Sequence, residues 1–223
     1  MYENDASNQL REIAALADIA TVQSTYGEIS SSNLSGKIAK TDGCLVTAGC
    51  DVEGYGMDPD QLVQAWFNAA ASGDYSADGL DVRQMIQKLL IGTVSYYQGT
   101  SKYLGVVLDQ DNSGPVDGQV YTKMEHYWDE GFGYLYGEEA NVARADLGSS
   151  PTGNGVLVNK YFKKVNDQAE RAGIAQTVYD AFKLGRAAIV AENYTVRDEQ
   201  AAIIAVNLSK VIGYKAMDYL NGY

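Results

Sequence analysis

Apolar residues recur every three or four positions along most of the chain, a spacing that places them on one face of an α-helix. No segment alternates apolar and polar residues for long enough to predict a β-strand. Proline, which interrupts helices, occurs only at Pro59, Pro115 and Pro151. The pattern therefore predicts an all-α protein, a bundle of about six or seven helices joined by long Gly- and Ser-rich loops.

The chain of 223 residues is long enough to bury a substantial core, and we expect a single helical domain over residues 1–223. Residues 1–56 are its loop-rich part and residues 57–223 its helical core. Helix starts are predicted at Asp58–Gln61 and Thr122–Glu125, where a cap residue is followed three positions later by Gln or Glu. A further start is predicted at the cap Thr195–Asp198 of the last helix.

The charge balance limits the classes of partner. The chain has 17 Lys and Arg against 29 Asp and Glu, a net charge of −12, which repels phosphates and argues against nucleic-acid binding. Such a surface suits cations or a cationic partner, and self-association is a further hypothesis. No stretch approaches the roughly 20 apolar residues of a transmembrane helix, so no transmembrane segment is predicted.

Cys44 and Cys50 are the only cysteines and lie in a short Gly-rich stretch. Such a loop can close a disulfide, which requires an oxidising compartment, and the alternative is two free buried thiols. A zinc site would need more Cys or His nearby. The first nine residues are polar and lack the apolar core of a signal peptide. We therefore expect a mature or trimmed form outside the cytoplasm, with a cytoplasmic protein as the alternative.

The segment Asp109–Asp117 resembles the opening of an EF-hand calcium loop, because oxygen-bearing side chains alternate and a glycine follows. Position twelve of such a loop is Val120, where a bidentate Glu is expected. Glu125, or a carboxylate of a neighbouring chain, is assigned as the substitute ligand. The same residue types also form ordinary turns. The calcium hypothesis names the following ligands: Asp109, Asp111, Ser113, Asp117 and Glu125.

The segment Glu125–Glu130 offers a second candidate metal site. On a helix, His126 lies one turn from Glu130 and Glu125 lies one turn from Asp129, so either pair could share a metal ion. The His126, Asp129 and Glu130 cluster is the alternative site, for zinc or iron. A solvated helix face explains the same charges, because the apolar stripe of this helix follows other positions: Met124, Trp128, Phe132 and Leu135.

No nucleophile elbow, P-loop, dinucleotide fingerprint or paired-histidine zinc motif occurs in the chain. No catalytic residue is therefore predicted, and a non-enzymatic protein is favoured. Arg144, Arg186 and Arg197 could bind an anion, although isolated arginines usually pair with carboxylates or cover apolar surface.

Two stretches, 122–137 and 181–204, resemble a bacterial family known only as domain of unknown function 4856. The intervening Asn159–Tyr161 also fits, and the resemblance extends from about Leu80 to the C-terminus. Members resemble cell-envelope proteins of Gram-negative bacteria, often lipoproteins, and have no established activity. The resemblance therefore implies a periplasmic, outer-membrane-associated or extracellular location.

The helical architecture and the envelope location are also similar to those of imelysins, a group linked to iron uptake. Imelysins carry a Gly-x-His-x-x-Glu motif, whereas here His126 is followed at that spacing by Asp129. The leading hypothesis is a non-enzymatic envelope or extracellular protein that binds a ligand such as calcium, or that assembles with copies of itself. The alternatives are a metal-dependent hydrolase and a metal-uptake component.

Overall fold

The computed structural model describes residues 34, 36–39, 51–73, 79, 81–137 and 157–222. Its contacts group the chain into two compact units, Met1–Val94 and Ser95–Tyr223. The single domain expected over residues 1–223 stays a prediction. Cys44, Cys50 and Arg144 lie outside the described residues, and so the disulfide also stays a prediction.

The described residues form seven α-helices joined by shorter helical turns. The α-helices are α1 (Pro59–Ala71), α2 (Val82–Leu90), α3 (Tyr103–Val106), α4 (Lys123–Tyr136), α5 (Leu157–Asn166), α6 (Ile174–Val190) and α7 (Tyr194–Asn221). π-helical turns cover Ile91–Tyr96 and Gln98–Lys102, and 3-10 turns cover Val107–Asp109 and Ala169–Arg171. Extended pairing among these residues is limited to two isolated bridges, Val52–Met57 and Pro115–Thr122. The predicted all-α fold is confirmed.

Both predicted capping boxes are present. The Asp58 carboxylate accepts from the Gln61 N–H at 2.8 Å, and the Gln61 side chain accepts from the Asp58 N–H at 3.1 Å. At the start of α4, the Thr122 hydroxyl accepts from the Glu125 N–H at 3.2 Å, and Glu125 accepts from the Thr122 N–H at 2.7 Å. Each box satisfies two backbone groups that the first helical turn leaves unpaired.

The predicted start of the last helix was wrong by a few residues. Helix α7 begins at Tyr194, and its cap is Asn193, whose side chain accepts from the Val196 N–H at 3.3 Å. Asparagine is at least as good a cap as threonine, so the helix begins two residues earlier and includes Thr195.

The first unit has its own core between α1 and α2. Buried side chains from both helices pack with Ile38, and the Ala39 N–H donates to the Thr93 carbonyl at 2.8 Å. The helix residues of this core share a helical spacing: Val63, Phe67, Ala70, Val82 and Ile86. Amphipathic helices of this kind bury one face and expose the other.

The second unit is organised around Trp128 of α4. Its side chain is 1% exposed, and its indole N–H donates to the Phe182 carbonyl of α6 at 3.0 Å. A Cβ placed on Gly185, one turn further along α6, would lie 2.1 Å from Cζ2 of the indole. Only glycine therefore allows α4 to pack this closely on α6, and the indole fixes the register of the two helices.

Aromatic side chains extend this core. Tyr136 stacks on Phe132 with ring centroids 4.5 Å apart and on Phe162 of α5 at 5.5 Å. A Cβ on Gly99, in the second π-helical turn, would lie 2.6 Å from Cδ2 of Leu135, two turns after Trp128 on α4. Small residues at both crossings let α4 approach its neighbours closely.

We expect Gly185→Ala to lower the free energy of unfolding by about 1–3 kcal/mol or more, because the new methyl group must displace a buried indole. Gly213→Ala is the matched control, since no heavy atom outside its own helix backbone lies within 4 Å of a Cβ at that position of α7. This control should be neutral or stabilising by up to about 1 kcal/mol. Urea unfolding of both variants measures the difference, and equal effects would refute the packing argument.

Candidate ligand-binding cleft

Asn112 holds the loop that follows the 3-10 turn against the ends of two helices. Its amide nitrogen donates to the Ile189 carbonyl near the end of α6 at 2.9 Å and to the Tyr194 hydroxyl at 3.3 Å. Its amide oxygen accepts from the Thr122 hydroxyl at 2.6 Å. One side chain therefore joins the loop, the cap of α4 and the turn between α6 and α7.

Asp111 stands beside Asn112 and faces solvent. Its carboxylate accepts from the Ser113 N–H at 2.9 Å, and its backbone carbonyl accepts from the Met124 N–H at 3.1 Å. The N–H and hydroxyl of Ser113, assisted by the nearby charge of Lys123, hold the pKa of Asp111 below its usual range. The carboxylate is thus ionised at neutral pH.

These contacts leave a cleft of about 590 Å³ in the second unit. One side is the segment from the 3-10 turn into the loop, and the other is the turn between α6 and α7 with the first turn of α7. The lining residues are Leu108, Gln110, Asp111, Asn112, Ser113, Met124, Glu192, Tyr194 and Arg197. The volume falls in the range of about 300–1,000 Å³ that is typical of small-molecule sites.

Arg197 supplies the positive charge of the cleft. Its residue exposure is 4%, and its guanidinium contacts Oδ1 of Asp198 at 2.7 Å. The guanidinium carbon lies 4.7 Å from the centroid of the Tyr194 ring, a cation–π distance. Because Asp198 is half exposed, the ion pair reaches from the buried wall of the cleft to solvent.

Glu192 contributes a second carboxylate. Its φ of 54° is left-handed, and it is the one non-glycine residue with positive φ in the part of the chain that the structure describes. Glycine or asparagine is usual at such a helix end. The fold therefore keeps an acidic side chain at the cleft in a backbone conformation that disfavours it.

The five residues assigned to calcium do not share one environment. Asp109 ends the 3-10 turn, and Asp109, Asp111, Ser113 and Asp117 are exposed, whereas Asn112 turns inward. Glu125 is buried and engaged at the start of α4. The described ranges contain no group of three or more His, Cys, Asp or Glu side chains that could hold a metal ion. Calcium binding by these residues stays a prediction.

Glu125 and Asp129 share a guanidinium. Arg186 of α6 contacts Glu125 at 2.5 Å and both carboxylate oxygens of Asp129 at 3.1 and 3.2 Å. The Glu125 side chain is 12% exposed, and that of Asp129 is 55% exposed. Burial raises the pKa of Glu125, but the Thr122 N–H and Arg186 outweigh it, so the net pKa lies below its usual range. Arg186 therefore pairs with carboxylates of the protein, which was the alternative to binding an anion.

His126 and Glu130 do meet, as the helical spacing predicts. Nε2 of His126 lies 3.0 Å from Oε1 of Glu130, and its ring stacks on Tyr121 with centroids 5.2 Å apart. Glu130 also accepts a hydrogen bond from the Tyr103 hydroxyl. Burial, and after it this carboxylate, raises the pKa of the Tyr103 phenol strongly. Asp129 points instead to Arg186, so the third member of the proposed cluster is held elsewhere.

Sequence reasoning placed Asp111 and Ser113 in one candidate loop and named Arg197 separately as an anion candidate, but it did not bring Arg197 to that loop. It missed Leu108, Met124, Glu192 and Tyr194, which line the same cleft. The one signal in the sequence is the pair Glu192–Asn193 between two helical stripes, which marks a tight turn. Nothing in the spacing places that turn beside a loop about 80 residues earlier.

A family model described as Domain of unknown function (DUF4856) matches residues 69–223. The chain therefore belongs to this family, which confirms the resemblance noted in the sequence. No curated protein and no solved structure shows significant similarity to the chain.

We expect Glu125→Gln to lower the free energy of unfolding by about 1–2 kcal/mol at pH 7, because the charged bond to Arg186 is lost while a Gln can still complete the capping box. The low pKa of Glu125 means that its contribution is present above the ordinary glutamate pKa of about 4.3 and is lost as the pH falls. Urea unfolding at pH 7 and pH 3 measures both effects.

The control is Asp129→Asn, which removes the charge of the more exposed carboxylate that pairs with Arg186. This change should lower the free energy of unfolding by less than Glu125→Gln does. If Glu125→Gln lowers the free energy of unfolding equally at pH 7 and pH 3, the negative charge of Glu125 does not contribute to stability and the prediction is wrong.

Proposed function

We propose that this chain, a member of the DUF4856 family, is a non-catalytic binding protein that holds a small polar ligand in the cleft beside Arg197. The observation that supports the proposal is a cleft of about 590 Å³ that combines one buried cation with two carboxylates. Sites with a few convergent polar groups and an apolar wall are the usual form of small-molecule pockets.

The state of the cleft carboxylate favours binding over proton transfer. A general acid or base works best when its pKa lies near the operating pH. Hydrogen bonds instead lower the pKa of Asp111 below its ordinary value, further from neutral pH. A carboxylate that stays ionised is suited to attract a positive group. Arg197, always protonated, is likewise suited to recognition.

A location in the cell envelope or outside the cell is part of this proposal. It is supported by the family resemblance, whose members resemble envelope proteins. In the part of the chain that the structure describes, no helix has the length and apolarity required to cross a membrane. Self-association and a cationic partner remain proposals that the acidic surface supports.

Calcium is a second candidate ligand, because the ionised Asp111 lines the same cleft as Glu192. We expect millimolar calcium to raise the melting temperature of the full chain, since extracellular sites often have dissociation constants of about 10⁻⁴–10⁻³ M. Asp111→Asn should abolish the rise, and magnesium serves as the ion control. An unchanged melting temperature in calcium would exclude this ligand.

The alternative functions, a metal-dependent hydrolase and a metal-uptake component, depend on His126, Asp129 and Glu130. The contact between His126 and Glu130 supports them, but Asp129 would have to leave Arg186 to join a metal ion. Zinc or iron retained by the purified protein would favour these alternatives.

The proposed binding function is tested by blocking the cleft. We expect Leu108→Trp to abolish binding, because Leu108 lines the cleft and a larger ring there fills it. Leu184→Trp is the matched control: Leu108 and Leu184 are similarly exposed, at 46% and 50%, and Leu184 lies outside the cleft. Native mass spectrometry of the full chain with a mixture of amino acids, sugars, nucleotides and organic acids detects the bound species.

A compound that binds the parent chain and Leu184→Trp but not Leu108→Trp identifies the cleft as the site. Binding that is equal in all three proteins would place the site elsewhere. No bound compound in any of the three would refute the proposed function for these ligand classes.

A further inference from the structure

Arg197 has hydrogen-bonding capacity that the protein uses only in part. Of its five N–H donors, Nε–H and one on Nη2 reach the same oxygen of Asp198 at 2.7 Å. Nη1 donates to Sδ of Met124 at 3.3 Å, and a thioether is a weak acceptor. A buried cation is normally paired and fully hydrogen-bonded, whereas among the described residues this edge of the guanidinium contacts only a weak acceptor.

The two residues that meet at this edge, Met124 and Arg197, both line the cleft. A planar guanidinium matches a carboxylate, whose two oxygens accept from two parallel N–H groups. Tyr194 lines the same cleft and adds a donor: its oxygen accepts from Asn112 at 3.3 Å, which leaves the O–H to donate to a ligand. This part of the cleft is thus suited to a carboxylate.

The remaining charges have the opposite sign. Asp111 and Glu192 line the same cleft, and the fold holds Glu192 there at a positive φ. Two carboxylates attract a primary ammonium, which has three N–H donors. Leu108 and Met124 supply apolar surface for a hydrocarbon skeleton. A ligand that matches the guanidinium, the two carboxylates and the apolar surface carries both a carboxylate and an ammonium.

We propose that the cleft binds a small zwitterion, an amino acid or a short peptide, whose carboxylate contacts Arg197 and Tyr194 and whose ammonium contacts Asp111 and Glu192. This inference rests on the proposed binding function, because it names the ligand class of the same cleft.

Isothermal calorimetry on the full chain tests the inference with the twenty L-amino acids and the dipeptide dileucine as probes. L-Leucine is matched by two analogues with a single charge: 4-methylpentanoate lacks the ammonium, and isopentylamine lacks the carboxylate. We expect at least one zwitterion to bind, and each leucine analogue to bind about tenfold to hundredfold more weakly than leucine, the loss expected for a charged hydrogen bond.

Variants assign the two ends of the ligand. We expect Glu192→Gln to weaken zwitterion binding about tenfold, because the ammonium contact is lost. The same change should not weaken the binding of 4-methylpentanoate, which has no ammonium and is repelled by the Glu192 carboxylate. Arg197→Lys and Tyr194→Phe should weaken both compounds. Tyr194→Phe keeps the ring that stacks on the guanidinium, so it reports on the carboxylate even if Arg197→Lys does not fold. Glu199→Gln, an exposed glutamate of α7 outside the cleft, is the control and should change nothing.

The outcomes separate the two proposals. If no zwitterion binds at about 10 mM, well above a Kd of about 1 mM, while Leu108→Trp blocks another compound, the ligand class is wrong and the binding function stands. If neither experiment finds a ligand, both are wrong. Isopentylamine binding as tightly as leucine would overturn the role of Arg197, and so would an unchanged affinity in Tyr194→Phe and Arg197→Lys.

Discussion

The contact between Trp128 and Gly185 is the constraint on which the second unit depends. The indole needs a residue without a side chain beneath it and a carbonyl for its N–H, and α6 supplies both within one turn. This contact fixes the position of α4 along α6. One turn before Trp128, Met124 then reaches Arg197, and Glu125 reaches Arg186. The position of Met124 in the wall of the cleft thus depends on how one ring packs on one glycine.

Asn112 plays the corresponding part for the loop. A loop rich in Asp, Ser and Gly has many conformations, and ordering it costs conformational entropy. Three hydrogen bonds of one amide offset part of that cost and also satisfy a carbonyl near the end of α6. Asp111 and Ser113, on either side, face outward as a result, which places their polar groups at the cleft.

The sequence predicts those features that depend on neighbouring residues. The capping boxes at Asp58 and Thr122 and the contact between His126 and Glu130 follow from spacings of three and four residues on a helix. The alternation of oxygen-bearing side chains in the loop was also visible, but it could not show that Asn112 turns inward. That orientation depends on Ile189, 77 residues later.

Long-range partners were not predictable for the same reason. Glu125 and Asp129 looked like a shared metal site because two carboxylates one turn apart need a cation. The cation is the guanidinium of Arg186, which is 61 and 57 residues away in the sequence. Spacing shows that a charge is required, and only the tertiary fold shows which group provides it.

The net charge of −12 gives the buried Arg197 a particular meaning. An acidic protein repels simple anions, and beyond about 8 Å at physiological salt this repulsion is screened, so it acts mainly on ligands close to the surface. A simple carboxylate must approach past Asp111 and Glu192 before it meets the guanidinium. A zwitterion has no net charge, so it is not repelled, and its ammonium is attracted by the same carboxylates. The acidic lining therefore discriminates against single anions while the buried cation still selects for a carboxylate.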